Sequence, residues 1–129
     1  MSDQRKENEQ HGNYDLALDL HSTKPSRRGF FALHNGSRDL LDLVIQAFGR
    51  HYPLFNKKKG GVYHWEAPGI FHSHNKGTLK DYARGHGARW SMTLEAPRGL
   101  PYGRRVEGLT ELVLALIRQA QASRERGIT

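Results

Sequence analysis

The chain has 129 residues, 36% of them hydrophobic and 26% charged, with a formal net charge of +7 and no cysteine. That length suits one domain with a real hydrophobic core. The lack of cysteine excludes disulfides, thiolate metal sites and a cysteine nucleophile. No apolar run approaches the roughly 18 residues of a membrane span. The opening stretch MSDQRKENEQ has no apolar centre, so it does not read as a signal peptide and the expectation is a cytoplasmic protein. The basic balance raises the prospect of an anionic partner. Its charges are scattered, however, over Arg27 and Arg28, Lys57 to Lys59, and Arg104 and Arg105, a pattern of solvated loops.

Residues 1–13 are polar without apolar periodicity and read as an N-terminal tail. From Tyr14 the sequence runs YDLALDLHST. Leu16, Leu18 and Leu20 alternate with Ala17, Asp19 and His21, which is the period of a β-strand. Asp19 and His21 therefore share the face opposite the leucines. Ser22 to Ser26 is loop chemistry, so the expectation is a buried strand ending in a histidine, with a carboxylate two residues behind it. Phe30 to His34 reads as a second strand, and Asn35-Gly36 as a turn. Ser37 is placed to cap a helix whose apolar positions are Leu40, Leu41, Val44, Ala47 and Phe48, with Asp39 in its first turn and Gly49 at its end.

Further on, residues 51–61 read as loop, and Val62 to Trp65 and Ile70 to His72 as short strands. Thr78 is placed to cap a short helix from Leu79 to about Arg84, closed by Gly85 or Gly87. Arg89 to Glu95 is a strand with Trp90, Met92 and Leu94 on one face and Ser91, Thr93 and Glu95 on the other. After a loop through Pro101 and Gly103, the positions Leu109, Leu112, Val113, Leu116, Ile117 and Ala120 form one face of a long helix. Residues 123–129 read as a C-terminal tail. Strands alternating with helices make this a mixed α/β domain over residues 14–122, its sheet mostly buried and flanked by helices.

His21 and Glu95 both stand at the end of an apolar strand. Two such groups leaving one sheet can converge as a metal ligand and a general base. The alternative for each is a structural side chain whose hydrogen bonds are satisfied. The run YDLALDLHST resembles the strand that carries the last zinc histidine of the zinc carboxypeptidase superfamily, which includes the funnelin carboxypeptidases and the succinylglutamate desuccinylase/aspartoacylase branch. Residues 77–99, GTLKDYARGHGARWSMTLEAPRG, resemble the segment ending in the catalytic glutamate of that superfamily, through T-L-E. The resemblance implies a zinc-carboxypeptidase-like fold and a zinc-dependent hydrolase of amide bonds. It makes His21 a zinc ligand, Glu95 the general base, and Asp81 a contributor to the substrate pocket. The substrate would be a small molecule or a peptide.

The superfamily takes its other two zinc ligands from an upstream H-x-x-E motif, and no H-x-x-E occurs in this chain. The arginine motif that holds the substrate carboxylate is likewise absent. The resemblance is thus to the C-terminal half alone, with an incomplete zinc site and a need for a further chain or segment to supply the missing ligands. His34, His64 and the pair His72 and His74 are the imidazoles available for a displaced site with His21. The competing readings are a non-catalytic remnant or binding module of the same fold and, last, a basic nucleic-acid binder, for which no motif is present.

Overall fold

The computed structural model describes residues 15–24, 27–58, 63–73 and 79–127. Along the chain these form β1 (Leu16–Ser22), β2 (Phe31–His34), α1 (Arg38–Phe48), β3 (His64–Ala67), β4 (Ile70–His72), α2 (Leu79–Gly85), β5 (Trp90–Ala96) and α3 (Tyr102–Gly127). The five strands make one mixed sheet in the order β1-β5-β2-β4-β3. β1 is parallel to β5, β2 is antiparallel to β5 and parallel to β4, and β3 closes the far edge antiparallel to β4. The expected mixed α/β architecture is what the chain adopts.

Strand alternation decides which side chains meet which layer. On one face Trp90, Met92, Leu94 and Ala96 of β5, Ala32 of β2 and Ile70 of β4 pack with Phe30 into the main core. Two helices cover that face. From α1 come Leu40, Leu41, Val44, Ile45 and Phe48; from α3 come Leu112, Leu116 and Ala120, one per turn. Ala47 was expected in the α1 stripe, but Ile45 takes the place and Ala47 is exposed. On the opposite face Phe31, Leu33 and Phe71 form a smaller cluster with Phe55, Tyr63 and Trp65. There α2 lies against β5, where the Ser91 hydroxyl donates 2.7 Å to the Lys80 carbonyl.

Several local expectations change. β1 is an edge strand rather than a buried one: Leu16 and Leu18 are half-buried against the core, and Leu20 is 50% exposed. Ser37 does not cap α1 with its side chain. Its hydroxyl instead pairs with the backbone of Ser91, donating 3.1 Å to the carbonyl and accepting 3.0 Å from the N–H. The loop expected through Pro101 and Gly103 is shorter, because α3 begins at Tyr102, and α3 runs on through residues 123–127 that read as tail. Ile117, expected in the core, is 39% exposed beside β1. Tyr14, Thr78 and His74 lie outside the described residues. The Asn35-Gly36 turn forms with Gly36 at φ 87°, and Gly87, at φ 96°, follows the end of α2. Both conformations favour glycine.

α3 passes close to the core at Gly108. A Cβ there would stand 2.5 Å from the Phe30 ring tip, and Phe30 is fully buried. Overpacking of this kind costs about 1–3 kcal/mol. Gly108→Ala is therefore expected to lower the urea midpoint by that amount of stability, despite the better helix propensity of alanine. A midpoint unchanged or raised would show that the ring moves aside freely.

Candidate active site

His21 and Glu95 are register partners on adjacent parallel strands. Register partners in a sheet share a face, so both side chains leave the sheet on the side opposite α1 and α3. Asp19, two residues earlier on β1, shares that face and pairs with Thr93. The imidazole of His21 meets both carboxylates. Its Nε2 lies 2.8 Å from Asp19 Oδ2, and its Nδ1 lies 3.7 Å from Glu95 Oε2. With Nε2–H donating to Asp19, the lone pair sits on Nδ1, on the Glu95 side. A carboxylate behind an imidazole in this way fixes its tautomer and ring orientation, as it does for metal-ligating histidines.

The three groups differ in solvent access. The His21 side chain is 53% exposed, while that of Glu95 is 11% exposed. Burial pushes the Glu95 carboxyl above its ordinary value of 4.5; His21 and Arg27 pull it back in part, and Asp19 pushes it further up. A carboxyl poised in this manner suits proton transfer. The strand ends are held by the backbone: the Trp90 N–H donates 2.9 Å to the Asp15 carbonyl, and the Thr23 N–H donates 3.0 Å to the Ala96 carbonyl.

Asp81 is not part of this group. Its Oδ1 accepts from Asn35 Nδ2 and from Lys80 Nζ, both at 3.3 Å, at the sheet end where β5 begins and β2 finishes. Lys80 is buried with it, and Asp81 Oδ2 is buried without a hydrogen-bond partner among the described residues.

The described histidines among the substitute ligands, His34, His64 and His72, gather elsewhere. His34 and His72 are register partners, as are His64 and His72, so the three rings form a row across β2, β4 and β3. Their centroids are 5.8 Å and 6.4 Å apart. His34 pairs with Met92 and so faces the helices, on the other side of the sheet from His21. This arrangement keeps His34, His64 and His72 from a site shared with His21. Among the described residues, no three His, Asp or Glu side chains stand together so as to hold a metal ion. His34 is engaged at both nitrogens: Nδ1 accepts 3.1 Å from the Ser37 N–H, and Nε2 pairs with Glu66. Burial wins over the Glu66 carboxylate and holds the His34 pKa below its ordinary 6.5, which favours the neutral ring at pH 7. Nothing in the sequence pattern marked Glu66. It reaches His34 because β3 shifts register between Trp65 and Ala67.

No protein-family model and no curated protein matches the chain. Solved structures do. Three of these, each named "putative metallopeptidase", come from Shewanella amazonensis SB2B, Shewanella denitrificans OS217 and Shewanella baltica OS155. Their TM-scores are 0.68, 0.60 and 0.59 at 16%, 20% and 18% identity. The chain has a metallopeptidase-like fold. The matches cover 91%, 95% and 93% of this chain but 45%, 47% and 44% of those structures, so it spans about half the length of the proteins it resembles. No helix among the described residues is long and apolar enough to cross a membrane.

Two pH effects follow from the burial. For His34 the unfolded chain binds more protons below pH 6.5, so stability is complete above that value and falls as the pH drops towards the lowered folded pKa. The wild type should lose more thermal stability between pH 7 and pH 5.5 than His34→Gln does; parallel melting curves would count against a neutral buried ring. Glu95 has the opposite sign. Its raised pKa means that the ionised form weakens the fold, so stability declines as the pH rises from 4.5 through the folded value. Glu95→Gln is expected to stabilise the protein at pH 7 by about 1 kcal/mol, as loss of a strained functional group commonly does. Chemical denaturation reads this directly, and a destabilised variant would contradict the assignment.

Proposed function

We propose that the chain carries part of the catalytic centre of a zinc-dependent amide hydrolase of carboxypeptidase or N-acyl amino acid deacylase type. The observation that carries this reading is the register pairing of His21 with Glu95, with Asp19 fixing the imidazole from behind. Glu95 acts as the general base. One of its oxygens takes a proton from the attacking water, and the same carboxyl returns it to the leaving amine. Its partial burial brings its basicity closer to the working pH than that of a solvated carboxylate.

The described residues do not fit a complete zinc site. Catalytic zinc takes three protein ligands, and only His21 stands at this strand end with a free ring nitrogen. The remaining ligands would come from a further segment or a second chain. Two features support such a complement. The solved structures of this fold are about twice as long. In addition, the outer edge of β1 has no strand partner among the described residues. Leu20 is exposed on β1, and a groove of about 420 Å³ runs beside it, lined by Leu16, Leu18, Ile117 and Ala120. An open strand edge is a template for pairing with another segment.

A non-catalytic binding role for the same fold is the second reading; the low exposure of Glu95 beside an oriented imidazole favours the first. Metal titration separates the parts of the proposal. Zinc should bind the isolated chain weakly, and His21→Ala should abolish what binding there is. Tight, stoichiometric zinc in the isolated chain would contradict the incomplete site, and zinc binding indifferent to His21→Ala would remove that residue from it.

A further inference from the structure

The two outer strands of the sheet differ. β3 has four residues, a register shift between Trp65 and Ala67, and Pro68 directly after its last residue. Shortness, bulges and proline are devices that keep a sheet edge from pairing. β1 has seven residues in unbroken register with β5, and it contains no proline, glycine or lysine. Its one carboxylate, Asp19, is engaged by His21. The longer edge is thus the unguarded one.

The direction of its backbone groups is fixed. The Asp15 carbonyl accepts from the Trp90 N–H, and the Thr23 N–H donates to the Ala96 carbonyl. Backbone groups alternate in direction along a strand, so Ala17, Asp19 and His21 also turn theirs towards β5. Leu16, Leu18 and Leu20 turn theirs outwards, where β1 has no strand partner among the described residues. The side chains on this edge are apolar and partly open. Leu20 and Ile117 are exposed, and the groove of about 420 Å³ lined by Leu16, Leu18, Ile117 and Ala120 lies along it.

We propose that this edge pairs with β1 of a second copy of the chain, antiparallel, about a twofold axis at Leu18. A twofold interface is isologous, and across a shared sheet it runs the two strands in opposite directions. The axis at Leu18 sets that residue opposite its own counterpart and Leu16 opposite Leu20, so outward groups meet outward groups. Each exposed Leu20 then falls at Leu16 of the other copy, one of the residues that line the groove. At both ends His21 of one copy falls opposite Asp15 of the other, an imidazole against a carboxylate. The neighbouring registers fail on charge. An axis at Ala17 would set Asp15 against Asp19, and one at Asp19 would set two Asp19 carboxylates against each other. An axis at Leu20 would leave Leu16 unpaired. Residues 1–13 carry no alternating apolar run, so the beginning of the chain offers no strand for this edge. The interface does not depend on the hydrolase reading. A complement pairing at the same edge would have to displace the second copy.

The test is sedimentation of the full chain over a range of concentrations, together with cysteine trapping. The wild type should sediment as a dimer that dissociates on dilution. The chain has no cysteine of its own. Hydrogen-bonded partners on antiparallel strands stand about 5.5 Å apart at Cα, within reach of a disulfide. Leu18→Cys should therefore crosslink on mild oxidation. Leu16→Cys and Leu20→Cys should not crosslink singly, but should do so when combined in one chain. Leu20→Lys, at a position already exposed, should raise the dissociation constant about tenfold or more and leave a folded monomer. Leu43→Lys, at an exposed leucine of α1, should leave the dimer unchanged. A monomer at every concentration, a dimer indifferent to Leu20→Lys, or crosslinking through Leu16→Cys or Leu20→Cys alone would overturn the proposal. A chain that dimerises only after removal of residues 1–13 would assign the edge to that segment and overturn it equally.

Discussion

The parallel pairing of β1 with β5 is the constraint on which the candidate site depends. Seven register pairs run from Leu16 with Trp90 to Ser22 with Ala96, and backbone hydrogen bonds from Trp90 and Thr23 extend the pairing at either end. Parallel pairing sends both strands towards the same rim, so their C-terminal side chains arrive together. A slip of one residue would turn His21 and Asp19 to the helix-covered face and bring Leu20 opposite the carboxyl. The apolar packing of Leu16 and Leu18 against the core opposes that slip. A chemical juxtaposition across 74 positions of sequence is thus secured by leucines that take no part in it.

The two faces of the sheet then take different roles. The face under α1 and α3 is closely packed, and the imidazole buried there, His34, is satisfied at both nitrogens. The opposite face mixes aromatic side chains with ionisable groups, and the Arg27 guanidinium stacks there on Phe55 and Phe31. Satisfied polar groups hold structure together, whereas oriented groups with spare donors or lone pairs are available to a ligand. On that criterion the proposed site is the pairing of His21 with Glu95. The row of His34, His72 and His64 is a separate feature on the other side of the sheet.

Much of this was legible in the sequence, and the reason is periodicity. Alternation over Leu16 to His21 and over Trp90 to Glu95 determined which side chains share a face, because a strand has no other way to place them. Helical spacing located α1 and the buried positions Leu112, Leu116 and Ala120. Boundaries were less readable: α3 begins at Tyr102, where Pro101 and Gly103 suggested loop, because proline just before a first turn and one glycine within it are both tolerated.

By itself, then, the sequence determined the alternation, the helix faces and the chemistry available at each strand end. Only the tertiary structure decided that β1 lies at the sheet edge, that Asp81 and the other described histidines stand away from Glu95, and that Arg27 comes to rest on Phe31 and Phe55. Strand order and face-to-face stacking arise from contacts between residues far apart along the chain. Local spacing carries no record of such contacts, because any of several strand orders would bury the same alternating side chains equally well.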